Sequence, residues 1–103
     1  IAAFGGIGSS IAYAASKAGL MNLTKNLAKA MSPEVRVNAV APGLVRTPWT
    51  DGWPEERKNT SVANSLLGRM VEPEDIAETM LFFCANGAVT GQTLLVDCGR
   101  FGA

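Results

Sequence analysis

The stretch Val35-Arg36-Val37-Asn38-Ala39-Val40-Ala41-Pro42-Gly43 decides how the rest of the chain is read. Polar and apolar residues alternate, an apolar run with β-branched side chains follows, and Pro42-Gly43 ends it, which predicts a strand over residues 35–41. Thr93-Leu94-Leu95-Val96-Asp97 is a second short apolar run and predicts a strand over residues 93–97. Between them a helix is expected over residues 73–86, with Pro73 in its first turn and Glu72, Glu74 and Asp75 at its positive end. Ile76, Ala77, Met80, Leu81 and Cys84 form its apolar stripe. Strand, helix, strand is a crossover joining parallel strands, and parallel sheets are covered on both faces, so the fold class is α/β. Two strands are too few for such a sheet. The rest of it is expected from sequence outside this chain or from another copy.

Upstream, residues 11–31 lack Pro and are rich in Ala and Leu, a long helix that Ser32-Pro33 stops. At about 100° per residue, Tyr13, Lys17, Leu20, Thr24, Leu27 and Met31 fall on one line, which is the expected buried face. Asn22, Lys25, Asn26 and Lys29 lie opposite. Residues 44–68 read as a loop with one or two short helical turns, long enough to be a lid.

The 103 residues carry 9 basic and 9 acidic side chains and no histidine. One small domain, or part of one, fits that length. Zero net charge without a basic run offers no footprint for nucleic acid or an anionic membrane, and histidine catalysis is excluded. Two cysteines, Cys84 and Cys98, make neither a metal site nor a disulfide framework and read as reduced thiols of a cytoplasmic protein. No apolar run reaches the ~20 residues of a membrane span. With 48% hydrophobic and only 17% charged residues, part of the apolar surface is expected to face a partner chain or missing parts of the same fold. The start at Ile1, without Met, points to a lost N-terminus.

Tyr13 and Lys17, four apart on the apolar helix face, are the most informative pair. A lysine on an apolar helix face asks for a reason, because an unpaired ammonium is costly to bury. A phenol, which ordinarily ionises near pH 10, transfers protons poorly at neutral pH, and a neighbouring ammonium favours its ionised form. The plain alternative is a core tyrosine beside a snorkelling lysine. Likewise Pro42-Gly43 is an ordinary strand-ending turn and Thr47 an ordinary loop hydroxyl when taken alone. Trp49 and Trp53 either wall a substrate pocket or pack the loop on the body.

Four segments together change that balance: Tyr13-Ala14-Ala15-Ser16-Lys17-Ala18-Gly19, Arg36-Val37-Asn38 through Pro42-Gly43-Leu44-Val45-Arg46-Thr47, Gly68-Arg69 with Glu72-Pro73-Glu74-Asp75-Ile76-Ala77, and Thr90-Gly91-Gln92 to Val96-Asp97. In this order and spacing the chain resembles the C-terminal half of a short-chain dehydrogenase/reductase. The resemblance implies part of a doubly wound parallel-sheet, Rossmann-like fold whose N-terminal dinucleotide-binding half is absent. It implies hydride transfer between NAD or NADP and a small carbonyl or alcohol substrate. Tyr13 would be the general acid/base and Lys17 the ribose ligand. Pro42, Gly43, Leu44, Val45 and Thr47 would line the nicotinamide. A homodimer or homotetramer is implied, with no metal.

Departures from the pattern limit what this chain does alone. The glycine-rich nucleotide turn after the first strand is missing, and the family's catalytic serine falls just ahead of Ile1. The active-site asparagine of an earlier helix is also missing. Ser9 and Ser10 are too close to Tyr13 to replace the serine and are explained as helix caps. Cys98 stands where the family has glycine. Gly5-Gly6-Ile7-Gly8-Ser9-Ser10 imitates a phosphate-binding turn, yet no strand precedes it. The expected activity therefore belongs to the complete protein, with the 103 residues inactive. The alternative is a naturally short, noncatalytic binding or oligomerisation module built from the same fold.

Overall fold

A computed structural model describes residues 10–100. The decoy turn at Gly5 to Ser9 and the end of the tail at residues 101–103 lie outside them. The elements are α1 (Ile11–Met31), β1 (Ala39–Pro42), α2 (Pro48–Asp51), α3 (Glu55–Ala63), α4 (Pro73–Ala85) and β2 (Thr93–Val96).

The two strands pair in parallel, with Ala39 opposite Thr93 and Pro42 opposite Val96. The first is shorter than its sequence pattern. Residues 35–38 stand outside the ladder because a helix carbonyl, a side-chain hydroxyl and a loop N–H take their backbone groups. The Val37 N–H donates to Thr90 Oγ1 at 3.1 Å, and the Val37 carbonyl accepts from Gly91 at 2.7 Å. Asn38 ties the same loop from both ends, donating to the Val89 carbonyl and accepting from the Gln92 N–H. Arg36 donates to the carbonyls of Phe83 at 2.6 Å, Cys84 at 3.0 Å and Val89 at 3.2 Å. It thereby caps the carbonyl end of α4 where no glycine terminator acts.

Ser10 caps α1, its Oγ accepting from the Tyr13 N–H at 3.1 Å. The buried face of α1 keeps Thr24 from the expected line but departs from it elsewhere. Thr24 and Ala28 are buried and Met21 half-buried, whereas Leu20, Leu27 and Met31 are exposed. The covered stripe is turned about 50° from the apolar one. In α4, likewise, Phe83 is buried and Ile76 half-buried, while Ala77, Met80, Leu81 and Cys84 are exposed, Leu81 at 68%. Large apolar side chains on both helices are only partly covered by the described residues.

The tightest packing is elsewhere. Val71 is 1% exposed and Thr50 2%, with Met70, Ser61, Ser65, Asp97 and Cys98 also buried. Residues 44–68 therefore hold two short helices and three buried polar side chains, Thr50, Ser61 and Ser65. A short parallel bridge fastens their start, Arg46 N–H donating to the Val71 carbonyl at 2.8 Å and Val71 N–H to the Leu44 carbonyl at 3.1 Å. Thr50 Oγ1 accepts from the Thr47 N–H at 2.9 Å, fixing the first turn of α2. Cys98, where the resemblance implies glycine, adopts a left-handed φ of 55°, the conformation that glycine serves more easily.

Asp75 opens α4. Arg69 holds its carboxyl below the usual carboxylate range through bonds of 2.8 and 3.2 Å, and the Glu72 N–H, donating at 2.8 Å, adds to this. A depressed folded-state pKa stabilises the fold above the unfolded value of about 3.9 and loses that effect as pH falls through the folded value. Asp75→Asn should lower the urea midpoint at pH 7, and the gap to the parent should close below about pH 4. An equal gap at pH 7 and pH 3 would exclude the ion pair as its source.

Candidate active site

Tyr13 and Lys17, in the first turns of α1, share one cleft with β1. The two side chains stand one helical turn apart, with Lys17 Nζ 5.3 Å from the centre of the Tyr13 ring. Ser16 Oγ donates to the Tyr13 carbonyl at 2.7 Å, which reinforces that turn. Both side chains line a cleft of about 230 Å³ between α1 and the sheet. Leu20 and Met21 continue the helix wall, Ala39 to Gly43 form the floor, and Thr93 closes one side.

Tyr13 is 46% exposed and Lys17 is exposed, so the lysine is not sunk in an apolar core as its helix position implied. The ion pairs among the described residues are Arg46–Glu72, Lys58–Glu55 and Arg69–Asp75. None occupies the Lys17 ammonium. A phenol hydroxyl and an unspent ammonium at the mouth of a cleft are a donor set suited to hydroxyl oxygens and to a carbonyl oxygen.

Of the expected cofactor-lining residues, Pro42 and Gly43 reach this cleft, whereas Leu44, Val45 and Thr47 do not line it. They follow directly, held by the Val71 bridge and the Thr50 hydroxyl. Gly43 is pressed against the end of β2: a Cβ placed there would lie 2.7 Å from Asp97 Cβ and 2.8 Å from its Cα. Trp49 and Trp53 are not part of the cleft. They meet edge to face at 5.1 Å, Trp49 is 76% exposed, and the Arg57 guanidinium covers Trp53 at 3.6 Å.

Leu20 joins the lining from the helix line it shares with Tyr13 and Lys17, whereas Met21 and Thr93 are lining residues that the sequence did not single out. Thr93 Oγ1 is buried without a hydrogen-bond partner among the described residues. Its register opposite Ala39 is the only signal that would have found it, and that register appears once the strands are paired. A larger open cleft of about 520 Å³ between α4 and β2 contains the Arg69–Asp75 pair, whose charges satisfy each other. Among the described residues no cluster of His, Cys, Asp and Glu is arranged to hold a metal ion, and no helix is long and apolar enough to cross a membrane.

Residues 1–100 match the family model described as enoyl-(acyl carrier protein) reductase. The chain is 41% identical over 100 residues to the short-chain dehydrogenase/reductase homolog YusR of Bacillus subtilis, covering 97% of this chain and 77% of YusR. It is 43% identical over 90 residues to the 3-oxoacyl-[acyl-carrier-protein] reductase FabG of Thermotoga maritima, covering 84% of this chain and 37% of FabG. A crystal structure of a small-chain dehydrogenase in complex with NADPH superposes with a TM-score of 0.80 at 33% identity, over 87% of this chain and 42% of that one. Against FabG and this structure the chain spans well under half of the relative's length; against YusR it spans most of it.

Proposed function

Because this chain belongs to the short-chain dehydrogenase/reductase family, its α/β fold matching part of that family's doubly wound sheet, we propose that it contributes the proton-transfer half of an oxidoreductase site. The reaction is hydride exchange between NAD or NADP and a small carbonyl or alcohol. The observation that carries this reading is the Tyr13–Lys17 pair at the mouth of a cleft floored by Pro42 and Gly43.

A cleft of about 230 Å³ takes one end of a dinucleotide and not the whole, and its phenol and ammonium suit the ribose and nicotinamide end. When bound, the nicotinamide supplies or accepts the hydride. Tyr13 Oη gives its proton to the substrate oxygen during reduction and takes it back during oxidation. Lys17 Nζ stabilises the charge left on the Tyr13 oxygen and donates to a ribose hydroxyl. Pro42 and Gly43 shape the floor, while Leu44, Val45 and Thr47 continue the wall once the remaining part of the site is in place. The carbonyl substrate follows from the name of the FabG relative, and NADPH from that of the solved complex. The small residues Ala12, Ala15 and Gly19 on α1 favour close helix approach in a homo-oligomer, and the free thiols fit a cytoplasmic protein.

The 103 residues alone lack a helix N-terminus and glycine turn for the pyrophosphate, so they are read as inactive by themselves. Fluorescence titration with NADH and NADPH should show no saturation below millimolar concentration for the chain alone. A longer polypeptide joining it to a glycine-rich half should bind in the micromolar range, about tenfold more weakly after Lys17→Ala. Micromolar binding by the chain alone, or no effect of Lys17→Ala, would overturn this assignment. A second reading is favoured by the 77% coverage of YusR: a short noncatalytic module whose exposed apolar helix faces serve binding.

A further inference from the structure

The five arginines divide by what satisfies them. Arg36 donates to three backbone carbonyls, Arg46 pairs with Glu72, and Arg69 pairs with Asp75. Arg57 and Arg100 have no carboxylate partner among the described residues, yet both line one cleft of about 390 Å³ with Pro54, Glu56, Thr60 and Ser61.

Each guanidinium is held in place. Arg57 lies over the Trp53 ring at 3.6 Å, which fixes its plane and leaves its rim of N–H donors for another partner. Arg100 donates from one terminal nitrogen to Ser61 Oγ at 2.8 Å, and Ser61 is buried. Having accepted, the Ser61 hydroxyl keeps its own proton to donate. Thr60 has spent its proton on the Glu56 carbonyl at 2.8 Å, so it offers only an acceptor. Glu56 is the single acidic side chain in the lining, and the cleft keeps one net positive charge.

Two pre-positioned forks and a hydroxyl supply more donors than the two oxygens of a carboxylate use. They match the three or four oxygens of a tetrahedral anion. We propose that this cleft binds a phosphate group, free or as a phosphate ester. The site shares no residue with the Tyr13 cleft and does not depend on hydride chemistry.

Calorimetric titration of the polypeptide carrying this chain, at pH 7 and constant ionic strength against chloride, tests it with inorganic phosphate in one arm and glycerol phosphate in the other. Saturable binding is expected in at least one arm. A preference for inorganic phosphate identifies the free ion, and a preference for glycerol phosphate identifies an ester. Arg57→Gln and Arg100→Gln should each weaken binding about tenfold or more, as loss of a charge-assisted hydrogen bond does. Arg57→Lys and Arg100→Lys, which keep the charge and lose the fork, should recover part of it and serve where a glutamine variant loses its circular dichroism signal. Absence of saturable heat in both arms, or unchanged affinity in the variants, would overturn the proposal.

Discussion

Tyr13→Phe, made in the polypeptide that joins this chain to a nucleotide-binding half, should lower kcat by about 10²- to 10⁴-fold, the range over which a positioned acid/base acts. Cofactor affinity and thermal stability should hardly move. The ring is 46% exposed, and among the described residues its hydroxyl makes no hydrogen bond whose partner the phenylalanine would strand. The ring also keeps its place beside Lys17, because the contact at 5.3 Å is to the aromatic face. A fall in kcat with an unchanged cofactor KM separates loss of the proton from loss of binding. Turnover within tenfold of the parent would remove Tyr13 from proton transfer and leave the pair with a packing role alone.

Where local chemistry sets a boundary, the sequence is enough. Ser10 and Ser32-Pro33 delimit α1, and Pro73 opens α4, because caps and prolines act within a few residues of themselves. Which face of each helix is covered is another matter. Thr24 and Ala28 are buried while Leu20, Leu27 and Met31 are exposed, and in α4 Phe83 is buried beside the exposed Met80 and Leu81. Apolar periodicity locates a face that wants cover without saying which neighbour supplies it. On both helices it marks surface that the described residues cover only in part, as expected of a chain spanning 42% of a solved relative.

The first strand illustrates a second limit. Val35 to Asn38 have strand-like residues, but Val35 N–H turns back to the Met31 carbonyl, and the partners of Arg36 and Val37 are loop and helix-end groups more than 45 positions away in sequence. Alternation predicts extended backbone, and only the partner decides whether it becomes a ladder. The site divides in the same way. Tyr13 and Lys17 converge through one helical turn, and Pro42-Gly43 reach them because the strand ends there. Thr93 enters through strand register and Trp49 leaves through loop packing, neither of which local spacing encodes.

The contact between Gly43 and Asp97 carries the largest structural consequence. Gly43 continues β1, its N–H donating to the Val96 carbonyl at 2.9 Å, so it closes the ladder at the end that faces Tyr13. A methyl group at Gly43 would meet Asp97 Cα at 2.8 Å and Cβ at 2.7 Å, and a backbone atom cannot swing aside as a side-chain tip does. Asp97 is itself fixed, buried and accepting from the Gly99 N–H at 2.9 Å. Gly43→Ala must therefore push the strand ends apart or break the bond to Val96, costing about 1–3 kcal/mol as overpacking does. That should lower Tm by roughly 4–8 °C per kcal/mol in a domain of this size. Gly52→Ala is the control: nothing lies within 4 Å of its added Cβ, and its φ of −79° suits alanine, so Tm should stay level or rise slightly. Thermal unfolding of the two variants side by side separates crowding from a general intolerance of alanine. Equal Tm values would mean that the strand ends have slack, and Gly43 would then be a turn residue with no part in holding the cleft floor against β2.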